Sequence, residues 1–205
     1  MKILVTGFNP FGPDKVNPSW QTAAALPNKI SGSQIIKKML PTVFAEAKDQ
    51  LEADIHEIQP DLVLCLGLAG GRSEITLEKV AINYVDARIP DNSGAQPIGS
   101  LDPLGPDAYF ENYEVKELVD RLQQQHLPVA MSLSAGAYVC NATSYFLLNI
   151  LHHQYPKAVG AFIHVPYTPE MGYVDQPSLP LAVDVQTITA YLTEMIQDLK
   201  EEKHD

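Results

Sequence analysis

The sequence predicts an α/β protein: a single three-layer α/β/α sandwich around a central sheet that is largely parallel or mixed. Short apolar runs alternate along the chain with segments of helical periodicity, which is the pattern of strands covered by helices on both faces. The 205 residues suffice for one well-buried domain and are few for two. Because no internal repeat or shift in composition marks a boundary, residues 1–205 are predicted to form one domain.

The composition and charge exclude several classes of partner. The net charge of −11 leaves no basic stripe for nucleic acid, since Lys37 and Lys38 form the densest basic spot. No apolar run approaches the roughly 20 residues that span a bilayer, so no membrane partner is predicted, and the N-terminal residues are expected to form a strand rather than a signal peptide. The two cysteines, Cys65 and Cys140, fit a reducing cytoplasm. No Cys/His cluster has zinc spacing, so neither a metal nor a cofactor is expected.

Residues 1–66 are predicted to contain three strands and two helices. In the second helix Val43, Leu51 and Ile55 recur at helical spacing, and Pro60 ends it. The third strand is apolar throughout, as expected of a central strand covered on both faces. The predicted strands cover residues 3–5, 35–40 and 62–66, and the predicted helices cover residues 17–26 and 42–59.

The loop after the first strand, residues 7–12, carries two aromatic rings, Phe8 and Phe11. Pro10 and Pro13 stiffen this loop because proline fixes its own backbone angle. Rigid rings at the end of a strand are typical of the wall of a binding site, but both rings can equally pack into the core. The sequence leaves these two alternatives open.

The rest of the chain continues the alternation of strands and helices. On its first strand Glu78 shares a face with Thr76 and Val80, and a carboxylate there needs either solvent or a partner. A long loop without periodicity follows, of the kind that is usually functional or disordered, and it carries Arg88. The predicted strands cover residues 75–83, 129–133 and 159–163, the helices residues 111–125, 141–153 and 181–200, and the long loop residues 84–108.

The stretch from Ser132 to His153 carries the strongest chemical signal. An apolar strand, predicted to be buried, leads through small residues to Cys140, immediately before a helix. A thiol at the first turn of a helix meets unpaired backbone N–H groups and the positive end of the helix dipole. This environment favours a thiolate, and the same N–H groups can hold the oxyanion of an acyl intermediate. The alternative is that Cys140 is a small buried apolar residue, the usual fate of a free cysteine.

A cysteine nucleophile needs an imidazole within hydrogen-bond reach. His152 and His153 lie about 18 Å along the helix that starts at Cys140, which is out of range. Elimination favours His164, at the end of a predicted core strand. The other histidines occupy unsuitable positions: His56 within a helix, His126 at the end of one, and His204 in the charged tail. Spacing does not choose the group that orients the imidazole among Glu74, Glu78, Asp86, Asp91 and Asp102.

Several ordered segments together resemble the pyroglutamyl peptidase I (pyrrolidone carboxyl peptidase) family, cysteine peptidases that remove an N-terminal pyroglutamate. The resemblance covers nearly the whole chain, and the number of matches in order makes it specific. The matching segments are GFNPFG with NPSW (residues 7–12 and 17–20), GLAGGR (67–72), LEKVAIN (77–83) with DARIPDN (86–92), AGAYVCN (135–141) and FIHVPY (162–167).

The resemblance implies a catalytic triad of Cys140, His164 and Glu78, and so selects Glu78 among the acids. It implies that Arg88 lies near the active site as support for the oxyanion. It further implies an α/β/α sandwich in the cytoplasm, without a metal, assembled as a homotetramer that acts on peptides with N-terminal pyroglutamate. The substrate-binding residues that it implies, or that the loop chemistry favours, are Phe8, Phe11, Asn17, Leu68, Ile89 and Val139.

Two departures and two alternative functions remain. Leu68 stands where the family usually has Gln, and Ala137 stands where it usually has Thr. If the Gln side chain contacts substrate, affinity or selectivity differs in this chain, whereas if only the backbone of this residue does, Leu68 changes little. One alternative is a nucleoside-phosphorylase-like enzyme in which the glycine-rich turn and Arg72 hold phosphate, although this turn matches neither the P-loop nor the dinucleotide pattern. The other is a non-catalytic binder of pyroglutamyl-capped peptides.

Overall fold

The computed structural model describes residues 1–201, in which a seven-stranded sheet lies between two layers of helices. The strands are β1 (Lys2–Phe8), β2 (Lys29–Ile30), β3 (Ser33–Leu40), β4 (Leu62–Leu68), β5 (Ile75–Glu78), β6 (Val80–Ile82), β7 (Val85–Asp86), β8 (Ile98–Gly99), β9 (Ala108–Phe110), β10 (Val129–Ser132) and β11 (Val159–Val165). The helices are α1 (Pro18–Ala25), α2 (Phe44–Ile58), α3 (Val115–Gln124), α4 (Val139–Gln154) and α5 (Leu181–Glu201).

The central sheet is mixed, with the strand order β10-β5-β11-β4-β1-β3-β2. Four neighbouring pairs are parallel: β10 with β5, β11 with β4, β4 with β1, and β1 with β3. The pairs β5 with β11 and β2 with β3 are antiparallel. The predicted fold class, with its largely parallel or mixed sheet, is therefore confirmed.

The side chains of the central strands alternate between two cores, as the two-residue period of a strand requires. On β1, Ile3 and Val5 face the core shared with α1, α3 and α5, whereas Leu4 faces the core shared with α2 and α4. On β4, Leu64 and Cys65 divide in the same way. Both faces of these strands are thus covered, which explains why their sequences are apolar without polar alternation.

The predicted strand 75–83 is broken in the structure. Its first part, β5, belongs to the central sheet, but the chain turns away at Lys79, and β6 pairs with β9 outside that sheet. The break is stabilised at Lys79, whose N–H donates to Ser132 O at 2.8 Å and whose carbonyl accepts from Glu111 N at 3.1 Å. The single alternating strand was therefore a wrong prediction, although both pieces are extended.

Two further predictions need correction. The strand before the Cys140 corner is not buried, because β10 is an edge strand whose Met131 and the following Leu133 are 37% and 65% exposed. The loop predicted over residues 84–108 contains a small two-stranded sheet, β7 with β8. Among residues 1–201, no helix has both the length and the apolar character that crossing a membrane requires.

Candidate active site

Three elements bring the predicted catalytic side chains together. Glu78 is the last residue of β5, and Cys140 lies in the first turn of α4. His164 is the second-to-last residue of β11, where it pairs with β4. Because β11 sits between β4 and β5 in the sheet, it carries the histidine between the strand of the acid and the glycine-rich turn after β4.

Gly67 of β4 makes the approach of the thiol and the imidazole possible. This glycine is the register partner of His164. A Cβ atom at Gly67 would lie 2.9 Å from Cys140 Sγ and 2.9 Å from His164 Cδ2, the ring carbon bonded to Nε2. Both side chains therefore border the space that a larger residue at position 67 would fill.

Glu78 orients the imidazole. His164 Nδ1 donates to Glu78 Oε1 at 2.7 Å, and the two side chains are 3% and 0% exposed. With its proton on Nδ1, the neutral ring carries its lone pair on Nε2, the nitrogen bonded to the ring carbon that borders the same space as Cys140 Sγ. The hydrogen bond therefore fixes both the orientation and the tautomer in which His164 can accept a proton from a thiol.

The charge states of this pair follow from burial and from its partners. Burial lowers the pKa of His164, partly opposed by the hydrogen bond and charge of Glu78. Burial alone would raise the pKa of Glu78, but its interactions with His164 and the charge of Arg72 bring that pKa below its usual value. Near neutral pH the pair therefore rests as a carboxylate and a neutral imidazole.

The thiol of Cys140 is protonated at rest. Burial and the nearby charge of Glu78 raise its pKa to about 12, and the charge of Arg72 opposes this only in part. The expectation that the start of a helix keeps this thiol ionised is wrong for the resting site, because desolvation of the sulfur outweighs the helix terminus. An ionised sulfur therefore requires a base, and His164 is the neighbouring one.

A cleft of about 750 Å³ opens over the thiol and the imidazole. Of the predicted binding and oxyanion residues, Phe11, Leu68, Arg88 and Ile89 line it. The segment before α4 forms another side of the cleft, including Ala137, whose carbonyl accepts from Asp86 N at 2.9 Å. The cleft thus combines apolar walls with a few polar groups, the usual composition of a small-molecule pocket.

Phe8 and Val139 lie in the core beneath the cleft rather than in its wall. Both are almost completely buried, and both pack in the cluster that contains Leu4. Phe8 is an even-numbered position of β1, like Leu4, so the strand turns its ring toward α2 and α4. The two alternatives for the aromatic loop are therefore each realised once, with Phe8 in the core and Phe11 in the cleft.

Asn17 supports the aromatic loop from below. Its Nδ2 donates to Asn9 O at 3.0 Å. Its Oδ1 accepts from the N–H of Ser19 at 3.1 Å and from the Ser19 hydroxyl at 2.8 Å, which caps helix α1. Asn17 is buried and does not line the cleft. Its contacts therefore tie the loop to the start of the helix.

Two residues of the site differ from the sequence prediction: Tyr138 has no predicted role, and Arg72 has a different one. Tyr138, directly before the helix of Cys140, lines the cleft with its ring centroid 6.4 Å from that of Phe11, and its hydroxyl donates to Pro90 O at 3.0 Å. Arg72, considered as a phosphate ligand, instead contacts Glu78 at 2.6 Å. The tyrosine had a signal, its place next to the cysteine, whereas nothing in the sequence pairs Arg72 with the acid.

The remaining candidates lie elsewhere or have other partners. His152 and His153 are exposed at the far end of α4, and His126 is exposed beyond α3. Asp91 accepts from Phe44 N at 3.0 Å and so links its loop to α2. The other placements are as follows: His56 bonds to Tyr155, Asp102 accepts from Leu104 N, Glu74 is exposed, and His204 lies outside the described residues. Within residues 1–201, no group of three or more His, Cys, Asp or Glu is placed to hold a metal ion.

Comparison with known proteins identifies the family that this chain resembles. A family model described as pyroglutamyl peptidase matches residues 1–198. The chain is 44% identical over 200 residues to the pyrrolidone-carboxylate peptidase of Enterococcus faecalis, covering 96% of this chain and 92% of that one. It is 46% identical over 181 residues to pyrrolidone-carboxylate peptidase 1 of Caldanaerobacter subterraneus, covering 88% and 89%.

Solved structures show the same similarity. The pyroglutamyl peptidase I of Bacillus amyloliquefaciens superposes with a TM-score of 0.89 at 40% identity, covering 94% of this chain and 93% of that one. The pyrrolidone carboxyl peptidase of Thermococcus litoralis superposes with a TM-score of 0.93 at 34% identity, covering 98% and 96%.

Proposed function

The chain belongs to the pyroglutamyl peptidase family, and we propose that it is a cysteine exopeptidase that removes an N-terminal pyroglutamyl residue from peptides, with Cys140, His164 and Glu78 as its catalytic triad. The observation that supports the triad is the space over Gly67, which Cys140 Sγ and the His164 ring both border, together with the hydrogen bond of Glu78 to Nδ1 of that ring.

In the proposed reaction His164 acts first as a base. Its Nε2 takes the proton of Cys140, and the thiolate attacks the pyroglutamyl carbonyl. The proton transfer creates a cation next to the new anion, and the carboxylate of Glu78 stabilises the imidazolium through the 2.7 Å hydrogen bond. A partly buried thiol whose pKa is raised is therefore ionised only together with its base.

The same groups complete the turnover. The N–H groups in the first turn of α4 have no partner within the helix, and we assign the N–H of Cys140, with Arg88 as support, to the oxyanion. Imidazolium then protonates the leaving amine, which departs and leaves a thioacyl enzyme. Water, activated by His164, hydrolyses the thioester and releases pyroglutamate.

The cleft suits an uncharged lactam. A pyroglutamyl group lacks the α-ammonium that ordinary aminopeptidases bind, so its site needs apolar walls rather than acidic residues. Phe11, Leu68, Ile89 and Tyr138 supply such walls in the cleft. Because the side chain of Leu68 is partly exposed there, the departure from Gln adds apolar surface. We therefore propose that selectivity, rather than the reaction itself, is altered by this departure.

Neither alternative function gains support. A phosphate at the glycine-rich turn would meet Arg72 already paired with Glu78, and would lie near that buried carboxylate. Like charges so placed repel, which disfavours the phosphorylase alternative. A non-catalytic binder has no need of an imidazole held toward a thiol.

We also propose the finer features that the family resemblance implies. The protein acts in the cytoplasm, as its two free cysteines allow. It forms a homotetramer, and residues 1–205 make one peptidase domain, which the single central sheet supports.

Hydrolysis of a pyroglutamyl fluorogenic amide, with and without iodoacetamide, tests the proposal. We expect turnover that alkylation abolishes and no turnover of the matching uncyclised glutamyl amide. Cys140→Ala is expected to remove activity. Cys65→Ala is the matched control, since Cys65 is fully buried in β4 and has no role in the reaction. Wild-type activity in Cys140→Ala, or phosphate-dependent turnover of nucleosides that resists alkylation, would contradict the proposal.

A further inference from the structure

Arg72 contacts three parts of the candidate site. Its Nη1 donates to Glu78 Oε1 at 2.6 Å and to the hydroxyl of Thr76, and its Nη2 donates to Ser134 O at 2.9 Å. Thr76 and Glu78 belong to β5, and Ser134 belongs to the segment that leads from β10 to Cys140. One guanidinium therefore joins the turn after β4, the strand of the acid and the approach to the nucleophile.

The contact with Arg72 places a cation beside a buried carboxylate, that of Glu78. Glu78 is fully buried, while the Arg72 side chain is 25% exposed. Arg72 and His164 both contact the same oxygen, Oε1, so the guanidinium shares the carboxylate with the catalytic imidazole. A buried carboxylate that loses this hydrogen-bonding cation is free to reorient toward water. Reorientation weakens the hydrogen bond that orients His164.

The fork of the guanidinium also has a geometric role. Two N–H groups on different nitrogens reach Glu78 Oε1 and Ser134 O, and their directions are fixed because the group is planar. The distance between the acid and the segment before α4 is thereby constrained. A lysine, with one point of attachment, provides the charge without this constraint.

We propose that Arg72 is a positioning residue of the catalytic site, which orients Glu78 toward His164 and ties the chain before Cys140 to the same carboxylate. This inference rests on the proposed function, because it assigns a role within that reaction. The glycine-rich turn then has a role other than phosphate binding, because it places the Arg72 guanidinium next to the carboxylate of Glu78.

The charge of Arg72 has a definite sign of effect on pH dependence. After burial and Glu78, this charge is a further influence on the pKa of His164, and it lowers that pKa. It also lowers the pKa of Cys140, against the larger effects of burial and Glu78. Removing the charge therefore raises both pKa values. His164 must be neutral to act as a base, so kcat/KM falls on the acidic side of its pH profile, the acid limb. When the charge of Arg72 is lost, this acid limb moves to higher pH.

Two variants separate charge from geometry. In Arg72→Met we expect kcat to fall about 10-fold to 100-fold, the range for loss of a hydrogen bond to a charged group, with a smaller change in KM and an acid limb at higher pH. In Arg72→Lys we expect an acid limb near that of the wild type and a partial loss of kcat. Arg121→Met is the matched control, since Arg121 pairs with Asp198 on the face of α3 and α5; we expect its acid limb to be unchanged.

An Arg72→Met protein with wild-type kcat and acid limb would overturn the inference. So would a protein with lower kcat but an unmoved acid limb, since this pattern means that Arg72 supports the fold only. The pH dependence of Cys140 alkylation by iodoacetamide provides a second readout that needs no substrate. We expect it to move to higher pH in Arg72→Met. This readout tests Arg72 even if the wild type releases no pyroglutamate, which would contradict the proposed function instead.

Discussion

Two buried glutamates flank β11, and their surroundings give them opposite charge states. Glu78 accepts hydrogen bonds from His164 and Arg72. These interactions outweigh the effect of burial, so the pKa of Glu78 is lowered. Glu111 is buried with one partner, the N–H of Phe162 at 3.2 Å, and its second oxygen has none. Burial raises its pKa well above the usual value, and the neighbouring charge of Glu78 adds to this effect. Burial alone therefore neutralises a carboxyl group here, and Glu78 stays ionised only because His164 and Arg72 contact its Oε1.

The two glutamates also serve different parts of the structure. The pairing of β5 with β11 covers only Ile163 and His164 on β11, and the N–H of Phe162 is satisfied by the Glu111 carboxyl group instead. A protonated carboxyl group accepts this hydrogen bond as well as an amide would. Glu111 thus satisfies a backbone N–H group of β11, whereas Glu78 orients the imidazole of His164.

The largest expected effect comes from neutralising each acid in turn. Glu78→Gln keeps the shape but cannot hold an imidazolium, so kcat is expected to fall by about 10³-fold to 10⁴-fold, as in other triads that lose their carboxylate. Glu111→Gln is expected to retain activity close to the wild type because the native group is already neutral. Steady-state kinetics on a pyroglutamyl amide measure both. Equal losses in the two variants would contradict the contrast between these acids.

A second test fills the space between the thiol and the imidazole. Gly67→Ala introduces a methyl group 2.9 Å from Cys140 Sγ and His164 Cδ2, so one of them must shift. We expect kcat to fall about 100-fold, since small displacements of reacting groups carry that cost. Gly160→Ala is a matched control, because its methyl group would meet Leu151 and Leu148 instead; we expect reduced thermal stability with near-normal kcat. Similar kcat values for the two variants would show that the space over Gly67 is not part of the site.

A third test uses the pH dependence of stability at Glu111. Its folded pKa is raised, so its contribution to stability is complete below the unfolded pKa and is lost as pH rises toward the folded value. Glu111→Gln removes this loss. We therefore expect the Tm of the variant, relative to the wild type, to increase from pH 5 to pH 9. A constant difference in Tm across this range would mean that Glu111 is already ionised in the folded protein.

A final test concerns Asp184, another buried carboxyl group, in the first turn of α5. It is fully buried and neither oxygen has a hydrogen-bond partner; burial raises its pKa to about 7. The stability it contributes as a neutral group is lost as pH rises from its unfolded pKa of about 4 to about 7, at about 1 kcal/mol per pH unit. We expect Asp184→Asn to flatten this part of the stability curve in denaturant titrations. An unchanged slope would show that Asp184 is not neutral when folded.

The sequence contains enough information for the fold class and for two of the three proposed catalytic side chains. Cys140 and His164 lie near the ends of elements whose periodicity is legible, so their positions followed from local pattern and elimination. The choice of Glu78 came from family resemblance, not from spacing. Its contact with His164 depends on the antiparallel register of β5 against β11, which is a long-range property that no local pattern encodes.

Two local errors have identifiable causes. The substrate-binding prediction includes Phe8 beside Phe11, yet the two-residue period of β1 places the Phe8 ring with Leu4 in the core. Alternation of side chains continues through Lys79, and so it predicts one strand over residues 75–83. The break at Lys79 arises from hydrogen bonds to Ser132 and Glu111, residues far away in the chain. The first error was avoidable from the sequence, and the second was not.

From the position of β11 between β4 and β5, we expect the proposed active site to form late in folding. The bond between His164 and Glu78 closes a loop of 86 residues, and pairings of such long range form slowly compared with helices. In a refolding experiment, hydrolysis of the pyroglutamyl amide is therefore expected to return after the helical circular dichroism signal. The time at which activity returns would then report when the central sheet is complete.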